Sequence, residues 1–225
     1  MRVTLQSYEQ YRTPRAYEWM MRIGDPRTPP ILFAPPLFEE LNRMRAFMAA
    51  VMRRLARDGH GCWLPDLGGT SESVMPLEGV AWTDWRQDLA AAANHVEAAS
   101  GKRPLIAAIR GGCLIDDQAE AHCWWRFAPV AASSLVRDMQ RASLAGGADW
   151  AGYPASPQLR ADIAEARVAP VTPVRTLRLA TDAGEADWKV DGPALWRRSE
   201  PGNSPELVEI IARDIGEWRR SCAAS

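Results

Sequence analysis

Short apolar runs alternate along this chain with segments whose apolar residues recur at helical spacing, and few folds accept that alternation. "ILFAPP", "GCWLPDLGG", "LIAAIRGGCLI", "CWWRFAPV" and "VRTLRLAT" each hold a strand too apolar to face water on either side. Between them, residues 39–58 place Leu41, Met44, Phe47, Met48, Val51 and Leu55 on one helical face, and Gly59 stops the helix. Further helices are expected over 82–99, 112–121, 134–144, 157–168 and 204–221, the last with Ser204 as its cap and Pro205 in its first turn. Such an order builds a mostly parallel sheet with helices on both faces. Residues 2–9 and 16–23 read as an antiparallel edge pair, and "ALWRRSE" as the last strand. The order is that of an α/β-hydrolase fold, with 1–225 as one domain and 131–170 a minimal lid at most, so that the lid is reduced or absent.

Bulk numbers exclude several function classes. A net charge of −1 and a pI near 6.3 give no electrostatic case for nucleic acid. Four scattered cysteines without a C-x-x-C pair read as reduced thiols in a reducing compartment. No signal peptide and no apolar run of about 18 residues is visible, so stable membrane insertion is not expected. The ten tryptophans fill a core, a pocket or an interface, and a homodimer is left open.

"LIAAIRGGCLI" carries the chemical question. A strand running into a tight glycine turn is the plan of a nucleophile elbow, G-x-S-x-G. Here Ala108 takes the first glycine, Arg110 the serine and Gly112 the last glycine. Arginine stays protonated and cannot attack a carbonyl. Arg110 together with the Gly111 N–H, at the start of the expected helix, makes an anion site for a carboxylate or phosphate. The alternative is an internal salt bridge from Arg110 to Glu39, Glu40 or Asp187.

Other loops at the carboxyl ends of strands complete such a site. "APPLFEELNRMR" lies where the fold supplies an oxyanion N–H. Pro36 has none, so Leu37 or Phe38 is the donor, and Glu39, Glu40 or Asn42 faces either the pocket or solvent. "PDLGGTSES" shapes the pocket, with Asp66 structural. Asp187 has the spacing of the triad acid, in a degenerate form, with Asp182 its rival. No histidine follows His122, and His60, His95 and His122 fall on helices or the wrong strand ends. A serine triad needs hydroxyl, base and acid. Cys113 lacks a histidine partner and packs under the elbow. No metal spacing stands out, and no cofactor is expected.

With "APPLFEELNRMR", "PDLGGTSES", "IRGGCLI", "WWRFAPVAASSLVRDMQR", "AGYPASPQL" and "GPALWRRSEPG", the chain resembles the second family of hydrolase-like proteins of the exosortase A system. The resemblance runs from about Ile31 to Trp218, and its most specific pieces are Pro35 to Asn42 and the arginine elbow. It implies an α/β-hydrolase fold, a bacterial cytoplasmic location and a link to exopolysaccharide production and exosortase-dependent sorting. It also implies that Glu39, Glu40, Asn42 and Arg110 are family-typical; Ala108 departs from the usual elbow glycine. The expected protein is a pseudoenzyme that binds an anionic small molecule at Arg110, Gly111, Leu37, Phe38 and Asn42. Its rivals are a non-serine hydrolase with Glu39 or Glu40 as base, and a protein-interaction module.

Overall fold

The computed structural model describes residues 5–143 and 150–223. Its framework is one sheet of eight strands: β1 (Gln6–Arg12), β2 (Tyr17–Ile23), β3 (Pro30–Ala34), β4 (Gly61–Pro65), β5 (Leu105–Ile109), β6 (Cys123–Phe127), β7 (Val174–Leu179) and β8 (Trp188–Val190). The spatial order is β1-β2-β4-β3-β5-β6-β7-β8. β1 and β2 form the expected antiparallel edge, β2 meets β4 antiparallel, and every pair from β4 through β3 to β8 is parallel.

Strands β3, β4 and β5 are buried at every residue, because helices lie over both faces. α1 (Glu39–Arg57) and α5 (Pro205–Ala223) cover one face. Met44, Phe47, Val51 and Ile211 there meet Ile31, Trp125, Phe127 and Leu177 of the sheet. α2 (Trp82–Ser100), α3 (Ala132–Ala142) and α4 (Pro157–Glu165) cover the other, where Leu89, Leu135 and Leu159 pack with Leu32 and Ile106. Among its described residues the lid segment 131–170 contains two short helices and a bridge between Trp150 and Tyr153. Leu144 and the start of "GGADWAGYPASPQ" lie outside the described residues, as do residues 2–4 of the first expected strand.

Three expectations are corrected. No α-helix follows the elbow: residues 112–121 form two 3₁₀ turns, Arg110–Leu114 and Asp116–Gln118. Two glycines open that segment at a cost to helix formation, and the Asp116 carboxylate is drawn into the core by Arg126, at 2.7 and 2.8 Å. "ALWRRSE" is not a strand but a 3₁₀ turn, Leu195–Arg197; Leu195 and Trp196 are both buried, which strand alternation does not allow on a half-covered edge. The last strand is β8, between "VRTLRLAT" and "ALWRRSE", where the sequence announces no strand. The helix expected to reach Val168 ends at Glu165, where Arg167 takes the carbonyls of Ala164 and Ala166. Among the described residues no helix is long and apolar enough to cross a membrane.

Candidate functional site

The carboxyl ends of β3, β5 and β7 gather the loops in question. β5 ends in the sharp bend expected of an elbow, and Arg110 sits in it with φ 54°, a left-handed conformation that side chains avoid. Such strain costs about 1–3 kcal/mol and persists only where neighbours hold it. Gly112 shows how tight the bend is: a Cβ there would lie 2.3 Å from the Ala34 carbonyl oxygen and 2.7 Å from that of Pro35. Only glycine lets the bend lie against the end of β3.

Arg110 does not point into an open cavity. Its side chain is 9 % exposed, and its Nε donates to both carboxylate oxygens of Glu40 at 3.2 Å. Nη2 donates to Glu40 Oε1 at 2.7 Å and Nη1 to the Ala128 carbonyl at 3.2 Å. The guanidinium carbon lies 4.4 Å from the centre of the Trp196 ring. Glu40 is equally buried, so cation and anion neutralise one another beneath the indole. Of the acids open to Arg110 in the sequence, helix geometry selects Glu40. Successive helical residues point about 100° apart, and Glu39 turns outward. Trp196 and the Ala128 carbonyl are partners that the sequence does not announce, because "ALWRRSE" has the look of a strand.

Leu37 and Phe38, the expected oxyanion donors, are buried. Phe38 immediately precedes α1 with φ 56°, and Leu37 packs on Gly111, where an added Cβ would lie 2.9 Å from Leu37 Cγ. With no helix after the elbow, the helix-end charge expected at Gly111 is missing. Asn42 stands farther out, its amide 3.4 Å from both Glu39 and the Tyr153 hydroxyl. Burial, reinforced by Glu39, pushes the Tyr153 phenol up to about 12. Asn42, Tyr153, Phe38, Trp85, Thr70 and Ser71 line a cleft of about 280 Å³. Phe38 forms its floor edge-on to Trp85 and Tyr153, with ring centres 5.5 and 5.3 Å away.

The triad positions are otherwise occupied. Asp187 stands at the amino end of β8, level with the middle of β7, and its carboxylate accepts the Thr176 N–H at 2.7 Å. Asp182 is the acid at the carboxyl edge. Burial alone would raise it; the Gly184 N–H and Arg178, with Arg110 farther off, outweigh burial and hold it below the usual carboxylate range. His60 and His122 precede β4 and β6 at the opposite edge, and His95 on α2 reaches Glu9 of β1. Cys113 is wholly buried, burial pushes its thiol up, and it faces the Ala108 carbonyl. Among the described residues, no group of three or more His, Cys, Asp or Glu is placed to hold a metal ion.

The loop after β4 hides a further polar cluster. The Asp66 carbonyl accepts the Tyr11 hydroxyl, Asp88 accepts the Gly68 N–H, and Glu18 accepts the Ser73 hydroxyl. Glu18 and Asp88 are each 1 % exposed, and each keeps one buried oxygen with no hydrogen-bond partner. Burial raises both carboxyls. A raised acid holds its proton longer in the folded than in the unfolded chain. Its stabilising contribution is therefore full below the unfolded value and lost as pH climbs through the folded one. Glu18→Gln keeps the shape and drops the charge. Thermal melts should show the variant gaining on the wild type between about pH 4 and about pH 8; an equal difference at both would refute the assignment.

No protein-family model matches the chain, and no curated protein matches it in sequence. Solved structures do match. The mouse α/β hydrolase domain-containing protein 10 superposes with a TM-score of 0.64 at 12 % identity, over 96 % of this chain and 99 % of that one. Est1E from Butyrivibrio proteoclasticus, solved with ferulic acid, gives 0.64 at 12 % over 96 % and 100 %. A thermophilic esterase from Thermogutta terrifontis, solved with malate, gives 0.61 at 15 % over 96 % and 99 %. The fold is that of the α/β-hydrolases.

Proposed function

We propose that this chain is an α/β-hydrolase-fold protein that has given up serine hydrolysis and uses its cleft for binding, in the manner of a pseudoenzyme. One observation carries the reading: the residue at the elbow is a guanidinium, held at φ 54° and paired with the buried carboxylate of Glu40. A triad needs a hydroxyl there and an imidazole beside it, and the three histidines of the chain lie elsewhere.

The same pair weighs on the finer readings. An anionic ligand received by Arg110 itself must compete with a carboxylate already held at 2.7 Å. Glu40, fully engaged, is a poor base for activating water, which disfavours a non-serine hydrolase. The aromatic cleft beside the elbow is open, and its hydroxyl and amide groups suit a polar ligand with a flat or apolar part. The likeness of Pro35 to Asn42 and of the arginine elbow to the exosortase A system proteins supports a cytoplasmic role in exopolysaccharide production.

A fluorophosphonate probe and a panel of chromogenic esters test the loss of hydrolysis. The expected result is no covalent labelling and turnover no faster than the buffer blank; labelling of any serine at stoichiometric yield would overturn the proposal.

A further inference from the structure

A second cleft, of about 640 Å³, opens between α3, the end of α4 and strands β6 and β7. The connection from β7 to β8 carries no helix, and the elbow is followed by 3₁₀ turns only. The sheet face over β6 and β7 therefore lies bare between α3 and the end of α4. The side chains it presents there are Arg126, Thr176 and Arg178, while their neighbours Phe127, Leu177 and Leu179 enter the opposite core. The bend at Ala128 and Pro129 separates this cleft from the elbow: Ala128 gives its carbonyl to Arg110, and Pro129 gives its own to Arg178 at 3.0 Å.

The two arginines are braced, and each keeps a donor free. The Arg126 side chain is 6 % exposed, and its Nε and Nη2 hold Asp116 at 2.8 and 2.7 Å, with Nη2 also on the Ala169 carbonyl. Among the described residues nothing accepts a hydrogen bond from its Nη1. Arg178 spends Nε on the Glu185 carbonyl and Nη1 on Pro129 and Asp182, which leaves Nη2. α3 starts in the wall of the same cleft at Ala132 and Ser133, with no side-chain cap and no acid in its first turn. An uncapped helix start and fixed guanidinium forks both favour an acceptor with negative charge. Leu114, Val130 and Val168 supply an apolar wall, and Glu185 is the single carboxylate among the described residues of the lining.

We propose that this cleft binds a small carboxylic or phosphoric acid with a short apolar body, its acidic oxygens meeting Arg126 Nη1, Arg178 Nη2 and the start of α3. Rigid, pre-paired arginines cost little ordering on binding, unlike surface lysines. The site lies across the bend at Ala128 and Pro129 from Arg110 and does not depend on whether hydrolysis is lost at the elbow.

Calorimetric titration tests it with hexanoate and butyl phosphate as the two acids and hexanamide as the neutral control. Saturable binding of at least one acid, with none of hexanamide, is expected; which acid binds identifies the head group. Arg178→Gln should weaken that binding by about tenfold or more. Ser133→Asp places a carboxylate at an exposed position in the cleft wall, in a helix turn that tolerates it, and should weaken binding at least as much. Should Arg178→Gln fail to fold, Ser133→Asp decides alone. No saturable binding of either acid overturns the proposal. So does binding that ignores Ser133→Asp; its loss when Arg110 and Glu40 are replaced together by Met and Leu would then assign it to the elbow.

Discussion

Gly112→Ala should cost more than about 3 kcal/mol, enough to leave little folded protein in a domain of ordinary stability. The added methyl would stand 2.3 Å from one backbone carbonyl oxygen and 2.7 Å from the next, and neither Ala34 nor Pro35 can move without pulling β3 off β5. Overpacking against a flexible side chain relaxes; against two carbonyls at the centre of a parallel sheet it does not. Gly79→Ala is the control, since its added methyl would meet nothing within 4 Å and its φ is not positive. Urea unfolding should place that variant within about 0.5 kcal/mol of the wild type. Equal stability of the two variants would mean the elbow does not press on β3 as described.

Arg110→Met is expected to destabilise by about 3–5 kcal/mol, because it leaves the Glu40 carboxylate buried without a counter-charge. The lost bond to Ala128 and the lost contact with Trp196 add to that but are smaller. An exposed arginine would cost far less, since surface pairs contribute about 0–1 kcal/mol. Chemical denaturation of Arg110→Met against the wild type makes the measurement. A loss under about 1 kcal/mol would show Arg110 to be solvated and free for a ligand.

The parallel order of the sheet is legible in the sequence because its strands are apolar on both faces and its long helices keep strict spacing, as in α1. The elbow is legible because a tight turn needs small residues and Gly111 and Gly112 announce them. What escapes is decided by tertiary contacts. The segment after the elbow has enough apolar residues for a helix, yet Arg126, the fourth residue of "CWWRF", draws Asp116 inward and breaks the run. A charged residue in a buried strand must find a counter-ion. That rule, applied to Arg126, points to a nearby acid. Trp196 escapes for a related reason: a two-residue buried step in a 3₁₀ turn mimics a short strand when read without its neighbours. Asp187 is favoured as the acid by spacing alone, and the parallel entry of β8 carries it to the amino end.

A double-mutant cycle on Arg110→Met and Glu40→Leu reads most directly whether a closed ion pair occupies the place of a nucleophile. A mutual pair predicts that each single variant is strongly destabilised, that the double variant recovers to within about 1–2 kcal/mol of the wild type, and that the coupling energy reaches at least about 2 kcal/mol. Additive losses, with coupling below about 0.5 kcal/mol, would contradict the pair and return Arg110 to the open cleft.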